Sequence, residues 1–222
     1  MDWTALRLSL GLAAWTMAIL LPAGVLLGRL LAYRRFAGKG LLEALLALPL
    51  VLPPTVLGYY LLISFGGGSW AGKWYQVIFG HGLAFSFEGL VLASLLANLP
   101  FAIQPMQRSF EAIPVEVREA AACCGMSAWR SLLRIELPLA WPGMLTALVL
   151  TFAHTLGEFG VVLMVGGNIP GETKTVAIAI YDRVQAFDDL AAGRMAALLL
   201  FISMGTMAIS YVLTNRSRDR HV

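Results

Sequence analysis

The sequence predicts an all-α, polytopic membrane protein of about five transmembrane helices, in a single domain over residues 1–222. Three observations predict it. First, 59% of the residues are hydrophobic and 13% charged, with a mean hydropathy of +0.76, whereas a soluble domain carries about 25% charged residues. Second, apolar stretches at 8–32, 42–65, 89–106, 139–165 and 195–214 are each long enough to cross about 30 Å of hydrocarbon at about 1.5 Å per residue. Third, the cations are unevenly placed. Arg29, Arg34, Arg35 and Lys39 flank the first connection. Arg108, Arg118, Arg130 and Arg134 follow the third stretch, and Arg216, Arg218 and Arg220 lie in the tail. Together they are eleven of the 16 basic residues. Cytoplasmic connections carry the excess of Lys and Arg, so the N-terminus is expected outside and the C-terminus in the cytoplasm.

The same composition excludes other classes. No basic patch is interleaved with aromatic residues, so a nucleic-acid partner is not expected. The adjacent pair Cys123 and Cys124 supports neither a disulfide framework nor a zinc set. The chain has no Walker A phosphate loop and no nucleophile elbow. The apolar run that opens the chain is too long for the core of a cleavable signal. It reads as the first span, in which Gly24 and Gly28, four apart, suit close packing of another helix.

The second stretch contains Pro53 and Pro54. Two adjacent prolines remove backbone donors and disrupt a helix. Inside a membrane, such backbone is tolerated only when buried in protein or lining a wet cavity, and transporters place solute sites at such breaks. Pro53, Pro54, Thr55 and Tyr59 are therefore candidates for a translocation path or gate, with a plain structural kink as the alternative. The connection 66–87 carries Trp70, Trp74 and Tyr75, suited to a membrane-interface belt. In the third stretch, Asn98 and Pro100 read as packing features.

The segment 112–138 is small-residue-rich and partly charged. Pro114 can start a helix, since a first-turn N–H has no helical partner anyway. Gly125 can end it in a left-handed turn. Ser127 suits the cap of a second short helix carrying Trp129. Ala120 and Ala121 would let another surface approach closely, Trp129 has the area of an interface anchor, and Pro138 would end the loop. In the fourth stretch His154 and Glu158 are four apart, on one helical face, and ionisable groups inside a span are functional candidates by default. They read as a hydrogen-bonded structural or gating pair, with Glu158 near the outer interface. Two groups are too few for a metal, and no metal site is expected. The connection 166–193 contains a helical apolar pattern at 175–187, for a short helix on the outer surface or tucked into a pore mouth.

Three segments together resemble the binding-protein-dependent ABC importer permeases of the molybdate/tungstate/sulfate group. They are LPLVLPPTVLGYYLL at 48–62, EAAACCGMSAWRSLLRIELP at 119–138 and FAHTLGEFG at 152–160. The middle one has Glu-Ala-Ala, three residues, Gly, nine residues and Ile-x-Leu-Pro, at the spacing of the importer permeases' docking loop. The resemblance runs over nearly all of the chain from Leu42 and is nearest to molybdate permeases, with sulfate and tungstate as alternatives. It implies an ABC-importer permease fold in a bacterial inner membrane and transport by alternating access. It also implies ATPase docking by Glu119, Ala120, Ala121, Gly125, Trp129, Ile135, Leu137 and Pro138. The partners it implies are a second copy of the chain, two cytoplasmic ABC ATPase subunits and an extracytoplasmic molybdate-binding protein. This chain would then hold no cofactor and be no enzyme, since ATP and Mg belong to the ATPase. The reading from another class is an ATP-independent channel or secondary carrier; a membrane-embedded enzyme would have only His154 and Glu158 to work with. A copurifying ATPase separates these.

The charge asymmetry makes a direct prediction. In intact cells, Ser69→Cys and Asn168→Cys proteins should react with a membrane-impermeant thiol reagent, and a Ser127→Cys protein should not. Labelling at position 127 would invert the orientation.

Overall fold

The computed structural model describes residues 1–218. These residues form helices, in order α1 (Trp3–Tyr33), α2 (Lys39–Val51), α3 (Pro54–Phe65), α4 (Trp70–Phe79), α5 (Phe87–Glu111), α6 (Val115–Cys123), α7 (Ala128–Ser131), a π turn (Leu132–Glu136), α8 (Leu137–Gly157), α9 (Gly160–Gly166), α10 (Val176–Gln185) and α11 (Asp189–Arg218). Arg220, one of the tail cations, lies outside the described residues.

The centre of the fold is α5, against which α1 and α8 pack most extensively. Small residues make this possible. In α1, Leu12, Ala13, Thr16, Leu20, Gly24, Gly28 and Leu31 are buried and recur at three- and four-residue steps, forming one stripe. A Cβ on Gly24 would stand 2.9 Å from the Ala102 carbonyl oxygen, and one on Gly28 would stand 2.9 Å from the Gln107 amide nitrogen. The two backbones therefore touch. Between helices that gain nothing from leaving lipid for each other, such close approach is a main source of attraction. Pro100 and Pro105 both lie inside α5 without ending it.

Among the described residues, four helices are long and apolar enough to span a membrane: Trp3–Tyr33, Phe87–Glu111, Ala128–Gly157 and Asp189–Ile209. A fifth span exists if the bent pair α2–α3 counts as one. That pair turns by 110° at the break before Pro54, where Pro53 is extended and Pro54 opens the next helix. The stretch expected as a single span over 139–165 is different. Its helix starts earlier, at Ala128, and ends at Gly157. The chain breaks at Glu158 and Phe159 before α9 begins. Nor does Pro138 end the docking loop, because the π turn carries the helix from α7 straight into α8. A wide turn just before a proline accommodates both the missing donor and the ring's clash with the carbonyl four residues back.

The elements sort to two ends. At one end lie Thr4, Arg7, residues 84–88 and Gly171, around a cavity of about 790 Å³, together with α10. The Val176 amide that opens α10 donates to Ser9 Oγ of α1 at 2.8 Å. Lys174 pairs with Asp182, and the Asn168 amide donates to both Asp182 oxygens at 2.9 Å. Burial pushes the Asp182 carboxyl up, but these partners outweigh it and hold the group below its ordinary value. The connection 66–87 is more than a loop, since α4 occupies its middle with Trp70 and Trp74 exposed. At the other end lie the C-terminus of α1, the start of α2, α6 and α7. Glu43 of α2 accepts from Gln107 Nε2 of α5 there, at 2.8 Å.

The α1–α5 contact yields a test. Gly28→Ala should lower the midpoint of thermal unfolding of the detergent-solubilised protein, by the equivalent of about 1–3 kcal/mol for overpacking. Gly11→Ala, where a Cβ meets nothing within 4 Å, should not lower it.

Candidate functional site

The segment 112–138, where docking is expected, forms the tip of one end. After Pro114, α6 presents Glu116, Glu119 and Ala120 to solvent. Ala121 is not on that surface: it is buried at 4% exposure, so only Ala120 of the expected pair is open to a partner. Helical periodicity is the reason, since consecutive residues point about 100° apart. Gly125 has φ +70°, the left-handed conformation that favours glycine. Its N–H donates to the Ala122 carbonyl at 2.9 Å, and the Met126 N–H donates to the Ala121 carbonyl at 3.1 Å, which closes the helix end. Ser127 Oγ accepts from the Arg130 amide at 3.4 Å and starts α7, leaving Trp129 62% exposed. Of the remaining docking candidates, Pro138 is exposed, Ile135 is half-buried and Leu137 packs on the core of the bundle.

Beneath this tip lies a polar group that the sequence did not announce. Glu136 is 1% exposed. Its Oε2 accepts from Arg29 Nε at 2.6 Å, and its Oε1 accepts from Arg29 Nη2 at 2.9 Å. The Ser131 hydroxyl also donates to Oε1, at 2.9 Å. One turn along α1, the Tyr33 ring lies under the Arg118 guanidinium at 3.6 Å, with that of Arg29 at 5.8 Å. The available signal was an acidic residue between Ile135 and Leu137, but its partner is 107 positions away, and no periodicity connects the two.

A second polar chain crosses the middle of the bundle. Thr16 Oγ1 donates to Ser94 Oγ at 2.9 Å. Asn98 Nδ2 donates to the Ser94 carbonyl at 2.8 Å. Asn98 Oδ1 lies 3.1 Å from His154 Nδ1, whose ring packs on Phe101 at 4.3 Å. His154 Nε2 is 3.5 Å from Glu158 Oε2, and Glu158 Oε1 accepts from the Val161 amide at 2.9 Å. Glu158 therefore caps α9. Glu158 is buried, and α9 runs on beyond it toward the end of the bundle that holds residues 84–88. Phe85, in the connection at that end, donates its N–H to the Val165 carbonyl at 2.9 Å.

The chain also reaches the proline break. A Cβ on Gly160 would meet Pro54 Cβ at 2.8 Å, and one on Gly58 would meet Met164 Cβ at 2.8 Å, so α9 lies directly on α3. The structure thus brings His154, Glu158, Pro53 and Pro54 into one neighbourhood through α9. Thr55 and Tyr59 lie on the exposed side of α3. Among the described residues, no group of three or more His, Cys, Asp or Glu is arranged to hold a metal ion.

A family model described as "Binding-protein-dependent transport system inner membrane component" matches residues 22–219. The chain belongs to this family. It is a multi-pass inner-membrane permease component, and as a transport subunit it is not an enzyme. The molybdenum transport system permease protein of Azotobacter vinelandii is 48% identical over 187 residues, which cover 84% of this chain and 83% of the relative. That of Escherichia coli (strain K12) is 37% identical over 220 residues, 99% and 96% of the two chains. The sulfate transport system permease protein of the same strain is 33% identical over 181 residues, 82% and 65%. Among solved structures, a bacterial ABC transporter involved in the import of alginate superposes with a TM-score of 0.77 at 16% identity, over 96% of this chain and 78% of that one. At that identity the likeness shows the permease fold alone.

Gly125 gives the prediction for this tip. Gly125→Val forces a β-branched residue into a left-handed conformation and should cost about 1–2 kcal/mol locally. The variant should remain in the membrane but retain less ATPase on copurification; wild-type retention would remove Gly125 from the docking surface.

Proposed function

We propose that the chain is the membrane subunit of an ATP-driven importer for molybdate. Two copies would form the pore, with two cytoplasmic ABC ATPase subunits and an extracytoplasmic molybdate-binding protein completing the machine. The observation that carries this reading is the tip itself. It matches the docking pattern at every spaced position, and it holds Glu119, Ala120 and Trp129 outward on helices anchored to the bundle. Extended similarity to relatives named for molybdenum transport, higher than to the sulfate relative, supports the choice of anion, with tungstate and sulfate as the alternatives. One docking tip per chain supports two copies, because an ATP sandwich needs two ATPases and each must be gripped. The exposed apolar face of α2, none of whose residues is buried, offers area for lipid or a second copy.

In this reading ATP and Mg act on the ATPase, and closure of the ATPase pair draws the tips together. The pore then opens outward to accept the anion, and hydrolysis returns it inward, as a two-state equilibrium biased by nucleotide. The N-terminus, α4 and α10 lie outside, while the docking tip and the C-terminus lie in the cytoplasm. A dianion crossing the low-dielectric region needs donors in place of water, since an uncompensated buried charge costs several kcal/mol. Hydroxyls such as those of Thr55 and Tyr59, the first-turn N–H of Thr55 in α3, and retained water would supply them. His154 and Glu158 set the position of α9 behind this wall and need not touch the anion, because a bare carboxylate would repel it.

Reconstitution with candidate ATPase and binding proteins tests the reading: molybdate should stimulate ATP hydrolysis and accumulate in the vesicles, and sulfate should do so less. ATP-independent accumulation would favour a channel or carrier. Within the same assay, Thr55→Val should slow uptake several-fold with little change in stability, and Thr55→Ser should be mild. A structure of the assembled pore with Thr55 and Tyr59 facing lipid would remove them from the path.

A further inference from the structure

We propose that the Arg29–Glu136 ion pair, with its carboxylate buried and its guanidinium partly exposed, together with Arg118 stacked on Tyr33, is the clamp through which the docking tip moves the membrane spans. It rests on the reading of the tip as an ATPase-docking surface. Three separate parts of the chain meet here. Arg29 and Tyr33 come from the end of α1, Arg118 from α6 one residue before Glu119, and Ser131 and Glu136 from the α7–π-turn segment. Every polar contact points across an element boundary or into the π turn.

The chemistry suits transmission more than adhesion. Replacing a buried ion pair by apolar side chains of like volume is often neutral or stabilising, so holding the bundle together does not call for one. An arginine–carboxylate fork differs from an apolar contact in its directionality: two parallel N–H···O bonds fix the mutual orientation of the groups as well as their distance. Both Glu136 oxygens are engaged, Oε1 twice, so α7 and α8 cannot rotate about their axis without carrying Arg29 with them. The π turn, a geometry that recurs at functional positions, ends at this residue. Arg118 closes the arrangement from the docking helix, with its guanidinium flat over the Tyr33 face. The Tyr33 hydroxyl is buried and has no hydrogen-bond partner among the described residues, and Arg118 meets the ring by its face. Behind the ring stands Phe110 of α5, edge-on at 5.9 Å. The docking helix is thus connected through one cluster to α1, α5 and α8, the three most extensively packed spans.

These are positioning residues, and the test separates that role from a merely structural one. The complete complex of permease, ATPase and binding protein is reconstituted in vesicles with wild-type chain, Arg29→Lys, Glu136→Gln, Tyr33→Leu or Tyr33→Phe. Three quantities are read: ATPase retained on purification, thermal midpoint, and molybdate taken up per ATP hydrolysed. Arg29→Lys keeps the charge but not the fork, and Glu136→Gln keeps the shape but not the charge. Both should retain the ATPase and lose uptake per ATP by about 5-fold or more, the scale of a typical coupling energy. Tyr33→Leu should fall in the same direction and Tyr33→Phe should match wild type. Assembled variants with wild-type uptake per ATP overturn the clamp. Loss of the assembled complex in both Arg29→Lys and Glu136→Gln also overturns it, making the pair a folding staple. Wild-type complex that hydrolyses ATP but takes up no oxyanion marks instead the failure of the permease reading, and the clamp falls with it.

Discussion

Inside hydrocarbon no water is available to complete a hydrogen bond, so each backbone or side-chain polar group must find its partner within the protein. Nearly every distinctive feature of this chain follows from that constraint. Where α9 starts, its first-turn N–H groups have no helical acceptor, and Glu158 takes one of them by accepting from the Val161 amide. The carboxylate that does so is itself held by His154, and His154 by Asn98, Ser94 and Thr16 in turn. The break between α8 and α9 is thereby made tolerable by a line of polar side chains drawn from α1, α5 and α8.

The second requirement is contact at short range. With no hydrophobic force between helices already in lipid, attraction depends on how closely surfaces fit. The glycines of α1 that let it touch α5, and Gly58 and Gly160 where α3 meets α9, meet this need at two separate places. The result is a firm three-helix frame of α1, α5 and α8. Alongside it runs an α3–α9 unit, fixed to the frame mainly through α5 and the polar line. The α2 helix, with no buried residue, is the least committed element of the spans. That distribution, rigid frame on one side and broken elements on the other, is what alternating access needs.

Much of this was legible beforehand because it is local. The apolar stretches, the break at Pro53–Pro54, the left-handed Gly125, the cap at Ser127 and the short helix near 175–187 all depend on neighbours within a turn or two. The features that escaped are of two kinds. Some are breaks with only weak breakers: Gly157 and Gly160 flank Glu158 and Phe159 in an otherwise apolar stretch without proline, and the Glu158 side chain on the Val161 amide shows how the new helix starts there. The helix α4, within 66–87, was likewise hidden among glycines and aromatic residues. Others are long-range pairings, above all Arg29 with Glu136, where each residue alone looks like an ordinary charge near a span boundary. The continuity through Pro138 was missed because a proline reads as a stop, and only a π turn before it says otherwise.

The segment Ala128–Gly157 has a mechanical consequence. It is an unbroken rod of 30 residues, about 45 Å long at the helical rise, and it is gripped at Glu136. From that grip to its Ala128 end is about 12 Å, and to its far end about 32 Å. Along the longer arm α8 is packed against α1 and α5, so it cannot swing about Glu136 alone. A displacement at the short end is passed to the three helices as one body, and reaches His154 and the Glu158 contact without being scaled up. One buried carboxylate near the tip thus makes the transfer stiff.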